Sequence, residues 1–286
     1  MSGFEIIERV IARIEKQCVK IHGDQLDMKI KEKLGYLSDR YRRLHGNNSA
    51  AIDYGDAVTQ FCYVYKYVAA HADYLFKIFR QARSAHKQPF FQNERIRVAC
   101  VGGDPGSDIL AILKYLEAGF SKEIVNKVVI DVYDKEKKWL RILKIIVDEL
   151  QSNTTVSVNF VELDVSDPEG FKAHDFSKYQ LVTSSFFVSE IRRIGLGTPA
   201  KAFWRHVVSA LPVGAIVVFN DNKDERIYGY FDAIMNGCAD VQTIIADNDA
   251  EVSCSDSWKP VQRYVDRLDH RPKRNGSTAF RVQMKS

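Results

Sequence analysis

The chain has 286 residues, 45% of them hydrophobic and 27% charged, which is the profile of an ordinary globular protein with a sizeable core. That length suits one large domain, or one domain with a helical extension. The 41 basic and 37 acidic residues leave a formal net charge of only +4, too weak an excess to imply nucleic acid by itself.

The opening of the chain reads as helix. Phe4, Ile7, Val10/Ile11, Ile14 and Cys18 recur at three-to-four spacing, the mark of an amphipathic helix. A second, more charged helix is predicted over Gln25 to Leu44, and Gly46-Asn47-Asn48-Ser49 breaks it. A long helix follows from Asp56 to Ser84, and no strand pattern precedes Ile96. The rhythm then changes. Strands are predicted at 96–101, 127–133, 156–163, 179–184, 215–219, 241–246 and 278–284. Helices fall at 107–119, 139–150, 202–210 and 227–236, with a polar, basic connection before the last strand. Strands alternating with helices imply an α/β fold: a Rossmann-like, doubly wound, mostly parallel seven-stranded sheet with an all-helical N-terminal extension. The expected division is a helical cap over 1–90 and the Rossmann-like domain over 91–286. There is no internal repeat.

Right-handed crossovers place the C-terminal ends of the parallel strands along one edge. The first strand ends there in Val101-Gly102-Gly103-Asp104-Pro105-Gly106-Ser107-Asp108. Glycines allow a tight turn and close approach of a ligand to backbone N–H groups at the start of a helix, and Ser107 is a suitable N-cap. A dinucleotide fingerprint fails, because Asp104 and Ser107 stand where its second and third glycines belong; a phosphate loop fails for want of Gly-Lys-Ser/Thr. A tight turn with no ligand is the plain alternative. Three further positions share the edge. Asp134 ends the second strand, where an acid can bond ribose hydroxyls. Asp164 ends the third, where a carboxylate can accept from an adenine amino group. Thr183-Ser184-Ser185-Phe186-Phe187 ends the fourth.

With this strand–GGxPG–helix loop, the acid after strand two, Leu163-Asp164 and a Leu-Pro-x-Gly-Ala turn before strand five, the chain resembles the class I S-adenosylmethionine-dependent methyltransferases over Ile96 to Ser286. It also resembles eukaryotic methyltransferase-like proteins that carry a Gly-Gly-Gly-Pro-Gly-Ser-Asp loop, a Ser-x-Phe-x-Ser-Glu segment and a preceding helix. The matching segments here are Gly102 to Asp108, Ser185 to Glu190 and Thr59 to Asp73. The resemblance implies S-adenosylmethionine as cofactor, with Gly102, Gly103, Asp104, Gly106, Asp134, Asp164, Ser184 and Ser185 at its site, no metal, and an unidentified methyl acceptor. Two positions depart from the pattern. Cys100 stands where many methyltransferases have an acid that meets the methionine amino group. Asp104 replaces the middle glycine, where it either repels the methionine carboxylate or takes over the amino-group contact. The alternative is therefore a methyltransferase-fold binding or scaffold protein that has lost catalysis.

Methyl transfer needs a base only if the nucleophile must lose a proton. Ser185, Glu190, Asn220 and Asp221 are the candidates near the strand ends, against an exposed helix residue for Glu190 and a turn former for Asp221. No Asn-Pro-Pro-Tyr or Asp-Pro-Pro-Tyr occurs. Tyr63, Tyr67, His71 and Tyr74 form a stripe on the long helix. It either covers the cofactor edge or packs on the preceding helices. Basic residues at 31–33, 40–43, 192–193 and 267–274 either share a nucleic-acid face or are scattered solvated charge. Five widely spaced cysteines without a Cys-x-x-Cys pair suggest neither zinc nor disulfides but a reducing compartment. No signal-peptide or membrane-spanning run is present, so cytosol or nucleus is expected.

Overall fold

The computed structural model describes residues 2–42, 52–86, 90–91, 93–103, 105–119, 125–150, 152–193, 195–238 and 240–286. Four helical segments come first: α1 (Gly3–His22), α2 (Leu26–Arg42), α3 (Ala57–Tyr63) and α4 (Ala69–His86). Asp56 caps α3, accepting from Val58 N and Thr59 N at 3.3 and 3.0 Å. The expected single helix over 56–84 is continuous in direction but widens into a π turn at Val64–Val68 between α3 and α4. The expected break at Gly46 to Ser49 lies outside the described residues.

The rest alternates: β1 (Arg95–Val101), α5 (Ser107–Glu117), β2 (Lys127–Asp134), α6 (Trp139–Glu149), β3 (Thr155–Glu162), α7 (Pro168–Lys172), β4 (Leu181–Ser185), α8 (Phe187–Arg193), α9 (Gly197–Ala210), β5 (Ile216–Asn222), α10 (Glu225–Met235), β6 (Val241–Ser253), α11 (Gln262–Leu268) and β7 (Asn275–Lys285). The seven strands form one sheet in the order β3-β2-β1-β4-β5-β7-β6. Only β7 runs antiparallel to its neighbours β5 and β6. This is the expected doubly wound, mostly parallel sheet.

Several local readings differ. The polar connection before β7 contains α11, because Tyr264, Val265 and Leu268 are buried against the rest of the core. The short helices α7 and α8 escape a periodicity search, having too few turns to show a stripe. β6 runs on to Ser253 through two register shifts, which a search for unbroken alternation ends early.

Each face of the sheet has its own apolar cluster. Residues of α1 to α6 and α11 pack on one face with Ile96, Val98, Leu181, Ile216, Val218 and Phe280. Residues of α7 to α10 pack on the other with Ala99, Val101, Val182, Val217 and Phe219. The alternation along β1, β4 and β5 is what divides them. The first face also holds a buried charged knot. The Asp73 carboxylate on α4, fully removed from solvent, pairs with Lys114 of α5 and accepts from Ser255 N at 2.8 Å. Lys114 also reaches Asp256 at 2.7 Å, and Asp256 accepts from Gly3 N at 2.8 Å. α1, α4, α5 and the segment after β6 are thereby joined.

Burial raises the Asp73 pKa, but hydrogen bonds from Lys114 and Ser255 outweigh it and hold the group below the ordinary carboxylate range. Asp73→Ala leaves Lys114 paired with Asp256 alone and takes the acceptor from Ser255 N and Oγ, and is expected to lower unfolding stability by about 1–3 kcal/mol in urea titrations. The advantage of the wild type is full above about pH 4 and fades as pH falls through the depressed folded pKa.

Candidate functional site

The strand order reverses at β1, which pairs with β2 on one side and β4 on the other. A crevice opens at the C-terminal ends of strands at such a switch point. A cavity of about 370 Å³ lies there, within the size range of small-molecule sites.

Its floor begins with the glycine loop. Gly102 takes φ +63° and donates its N–H to Tyr133 O at 2.8 Å. A Cβ at Gly102 would stand 2.2 Å from the Phe187 ring, and one at Gly103 would stand 2.8 Å from Cys100 Cβ. Both positions require glycine for close approach. The N-cap of α5 is Gly106, at φ +118°, and not Ser107, which lies one residue inside the helix. The left-handed turn that starts α5 suits glycine and not serine. Asp104 lies outside the described residues. Cys100 is fully buried in β1. Asp108, also buried, accepts from Thr183 Oγ1 at 2.5 Å and so ties α5 to β4.

Asp134 and Asp164 both line the cavity. Asp134 accepts from Glu136 N at 2.8 Å. Asp164 accepts from Ser166 N at 2.9 Å and pairs with Lys135 at 2.5 Å. Burial opposes its charge, but the bonds from Lys135 and Ser166 prevail and lower its pKa. Leu163, Val165, Leu196 and, from α8, Ile191 add apolar lining. Ser185 lines the cavity. Ser184, the next residue back along β4, faces the other side of the sheet, and its buried hydroxyl has no hydrogen-bond partner among the described residues. The cavity thus unites Gly102, Asp134, Asp164 and Ser185, while Gly103, Gly106 and Ser184 support it from outside.

An aromatic wall closes the opposite side. Tyr54, Tyr63 and Trp139 line it, with Tyr54–Trp139 and Tyr63–Trp139 ring centroids 5.0 and 5.4 Å apart. Tyr54 Oη donates to Glu190 at 3.0 Å. Glu190 is therefore turned to the cavity and is not an exposed helix residue. Burial first, and the Glu190 charge second, push the Tyr54 pKa well above its usual value. Tyr54 and Lys135 carry no periodic or spacing signal, and only the fold brings them here. The tyrosine stripe divides between its two readings. Tyr63 reaches the cavity, Tyr67 packs on Tyr41 of α2 at 4.8 Å, and His71 stacks on Phe186 at 4.1 Å.

Asp221 is neither exposed nor a turn former. It is fully buried on β5 and accepts from Ser189 N at 2.9 Å and Asn222 N at 2.7 Å, which anchors the first turn of α8. Asn220 is also buried, and neither atom of its amide has a hydrogen-bond partner among the described residues. The basic clusters are drawn into separate local contacts. Arg267 pairs with Glu15 and Asp27, Arg192 lies over Tyr230, and Arg271 lies over Trp258. Among the described residues no group of His, Cys, Asp and Glu is arranged to hold a metal, and no helix is long and apolar enough to cross a membrane.

No protein-family model matches the sequence, and no curated protein matches it. Solved structures to which the chain is similar include a loganic acid methyltransferase with SAH, at 8% identity and TM-score 0.47, covering 83% of this chain and 98% of that one. Another is an O-methyltransferase family 2 protein from Planctomyces limnophilus in complex with apigenin, at 12% and 0.44, covering 83% and 63%. A third is a precorrin-6y C5,15-methyltransferase from Geobacter metallireducens, at 11% and 0.40, covering 72% and 88%.

Two outcomes follow from the geometry. Gly102→Ala forces a Cβ into Phe187 at a positive φ, and is expected to cost about 1–3 kcal/mol of stability and to displace α8, seen as altered Phe187 resonances and a lower thermal midpoint. Burial pushes the Asp221 carboxyl up to about 6. An acid with a raised folded pKa stabilises the fold most when protonated, so this contribution falls between roughly pH 4 and pH 6 and is level above. Urea unfolding from about pH 4 to pH 7 should show the wild type losing on the order of 3 kcal/mol relative to Asp221→Asn. A constant difference would mean that Asp221 ionises alike in both states.

Proposed function

We propose that this chain is an S-adenosylmethionine-dependent methyltransferase. The observation that carries the reading is the meeting of Gly102, Asp134 and Asp164 in one cavity at the switch point of the sheet. The residues suit an adenosine-type ligand. Asp134 stands at the second strand end, where a carboxylate accepts from ribose hydroxyls. Asp164, paired with Lys135, accepts from an exocyclic amine, and Leu163, Val165 and Leu196 cover a flat base. The glycine turn, with Asp104 in it, meets the amino-acid end. When bound, the cofactor supplies an electrophilic methyl group on a sulfonium.

The chain's own contribution is alignment and exclusion of water. Tyr54, Tyr63 and Trp139 wall the cavity with rings, and the Tyr54–Glu190 hydrogen bond fixes one end of that wall. Glu190 is the carboxylate placed to take a proton near the α8 side of the cavity. Asp221 holds the start of α8 and is not among the described residues that line the cavity. A second reading, a binding or scaffold protein on the same fold without catalysis, is favoured by Asp104 in place of the loop's middle glycine and by the Phe187 ring lying against Gly102.

Titration calorimetry separates these. S-adenosylhomocysteine is expected to bind the wild type saturably, and Asp134→Ala and Asp164→Ala each to weaken it about tenfold or more. NAD is expected to give no heat. Absence of S-adenosylhomocysteine binding in a folded protein sinks the methyltransferase reading and favours the scaffold, and NAD binding alone overturns both.

A further inference from the structure

A second polar cluster adjoins the cavity across Phe186. Phe186 lines the cavity and carries φ +57°, a strained conformation for a bulky residue. Its N–H donates to Asn220 O at 2.7 Å. Its ring stacks on His71, with centroids 4.1 Å apart and planes 22° apart. His71 is 4% exposed, and neither ring nitrogen has a hydrogen-bond partner among the described residues. Ser185 and Asn220 are register partners on β4 and β5 and face the side of the sheet that carries α4. Thr278, two residues before Phe280 on β7, faces the same way. Ser185 Oγ, both polar atoms of the Asn220 amide and Thr278 Oγ1 are likewise buried and without partners among the described residues. Each such group costs about 1–3 kcal/mol when left unbonded. Their concentration at one strand edge marks a surface that takes its hydrogen bonds from a ligand or from water.

Lys273 stands over this cluster. Its backbone N–H donates to Lys66 O at 2.8 Å. Its Nζ lies 5.3 Å from the Phe186 ring centroid, 5.8 Å from Tyr74 and 5.9 Å from Tyr67. No carboxylate pairs with it among the described residues; the charge that acts on it is the like charge of Lys66, itself 5.8 Å from the Tyr67 ring. Two cations therefore flank one tyrosine, and neutral hydrogen-bonding groups and aromatic rings complete the surroundings. His71 is neutral there, because burial first and Lys273 second push its pKa well below the usual value.

We propose that this cluster is the acceptor end of the site, and that the acceptor has a flat apolar body and an anionic head, a carboxylate or a phosphate, held by Lys273. An amine acceptor is disfavoured by the same field, since the aromatic faces that would hold a cation are already occupied by Lys273. His71, Asn220, Ser185 and Thr278 supply the neutral donors and acceptors that orient the body. Phe186 is the wall between this end and the cofactor cavity, and its strained backbone makes it the element that moves when the two ends join. The word acceptor rests on the methyl-transfer reading; the anion site itself does not.

The test is calorimetry on the full chain with benzoate, phenyl phosphate and benzylamine, each with and without S-adenosylhomocysteine. At least one anion is expected to bind saturably and benzylamine not at all. Lys273→Met, which keeps the aliphatic stem and removes an unpaired charge, is expected to stay folded and to bind the anion about ten- to a hundredfold more weakly. Lys273→Arg is expected to retain it, and S-adenosylhomocysteine affinity to be equal in all three proteins. Benzylamine binding as well as the anions, unchanged anion affinity in Lys273→Met, or no saturable binding of either anion would overturn the proposal. Anion binding without S-adenosylhomocysteine binding would instead remove the methyl-transfer reading and leave the anion site standing.

Discussion

A sheet that grows in both directions from its first strand cannot close over that strand's C-terminal end. β1 sends the chain through α5 to β2 on one side, and after β3 the chain returns to place β4 on the other. The loops leaving β1 and β4 diverge to opposite faces, and the gap between them is the cavity. The glycine turn, the acids after β2 and β3, and the Ser185–Phe187 corner gather there because each ends a strand. No local preference of those residues for one another is needed.

The N-terminal helices complete what the sheet begins. They share one apolar cluster with a sheet face, and Tyr54 and Tyr63 from this part of the chain line the cavity. The Asp73–Lys114–Asp256 knot joins α1 and α4 to α5 and to the segment after β6. A buried charge network of this kind gives modest net stability but penalises any other arrangement of its partners. The same helix, α4, carries His71 to its stack on Phe186.

The polar groups of the interior divide by use. Asp108 is satisfied by Thr183, Asp131 by Tyr179 and Asn159, and Asp221 by Ser189 and Asn222. These hold strands and helices in register with each other. His71, Asn220, Ser185 and Thr278 differ in having no such partner among the described residues, and they sit together at the strand ends beside a strained Phe186. Interiors keep unbonded polar atoms few because each is costly. Local rules are expected to fail at functional sites more than elsewhere.

Much of the architecture is legible in the sequence. The alternation of period-two and period-3.6 segments, punctuated by glycine and proline, is a local property, so all seven strands and the helices with a clear stripe were found. That Gly102, Asp134, Asp164 and Ser185 share one cavity was legible because a parallel sheet brings its strand ends to one edge, and that follows from connection handedness alone. What escaped has physical reasons. α7, α8 and α11 are too short to show a period, and the β6 bulges break alternation. Ser107 is a good N-cap in isolation, yet the chain enters α5 through a left-handed turn that only Gly106 takes without strain. Tyr54 and the turning of Glu190 inward depend on a contact across more than 100 residues, and Lys135 is brought in by its pairing with Asp164 at the end of the next strand. The sequence by itself determined which segments are strands and helices and which strand ends carry acids and glycines, because these rest on local periodicity and backbone freedom. Only the tertiary structure decided that α4 packs beside β6 and β7, and so that His71, Lys273 and the Asn220 carbonyl meet at one phenylalanine, because burial and long-range contacts, not spacing along the chain, set that placement.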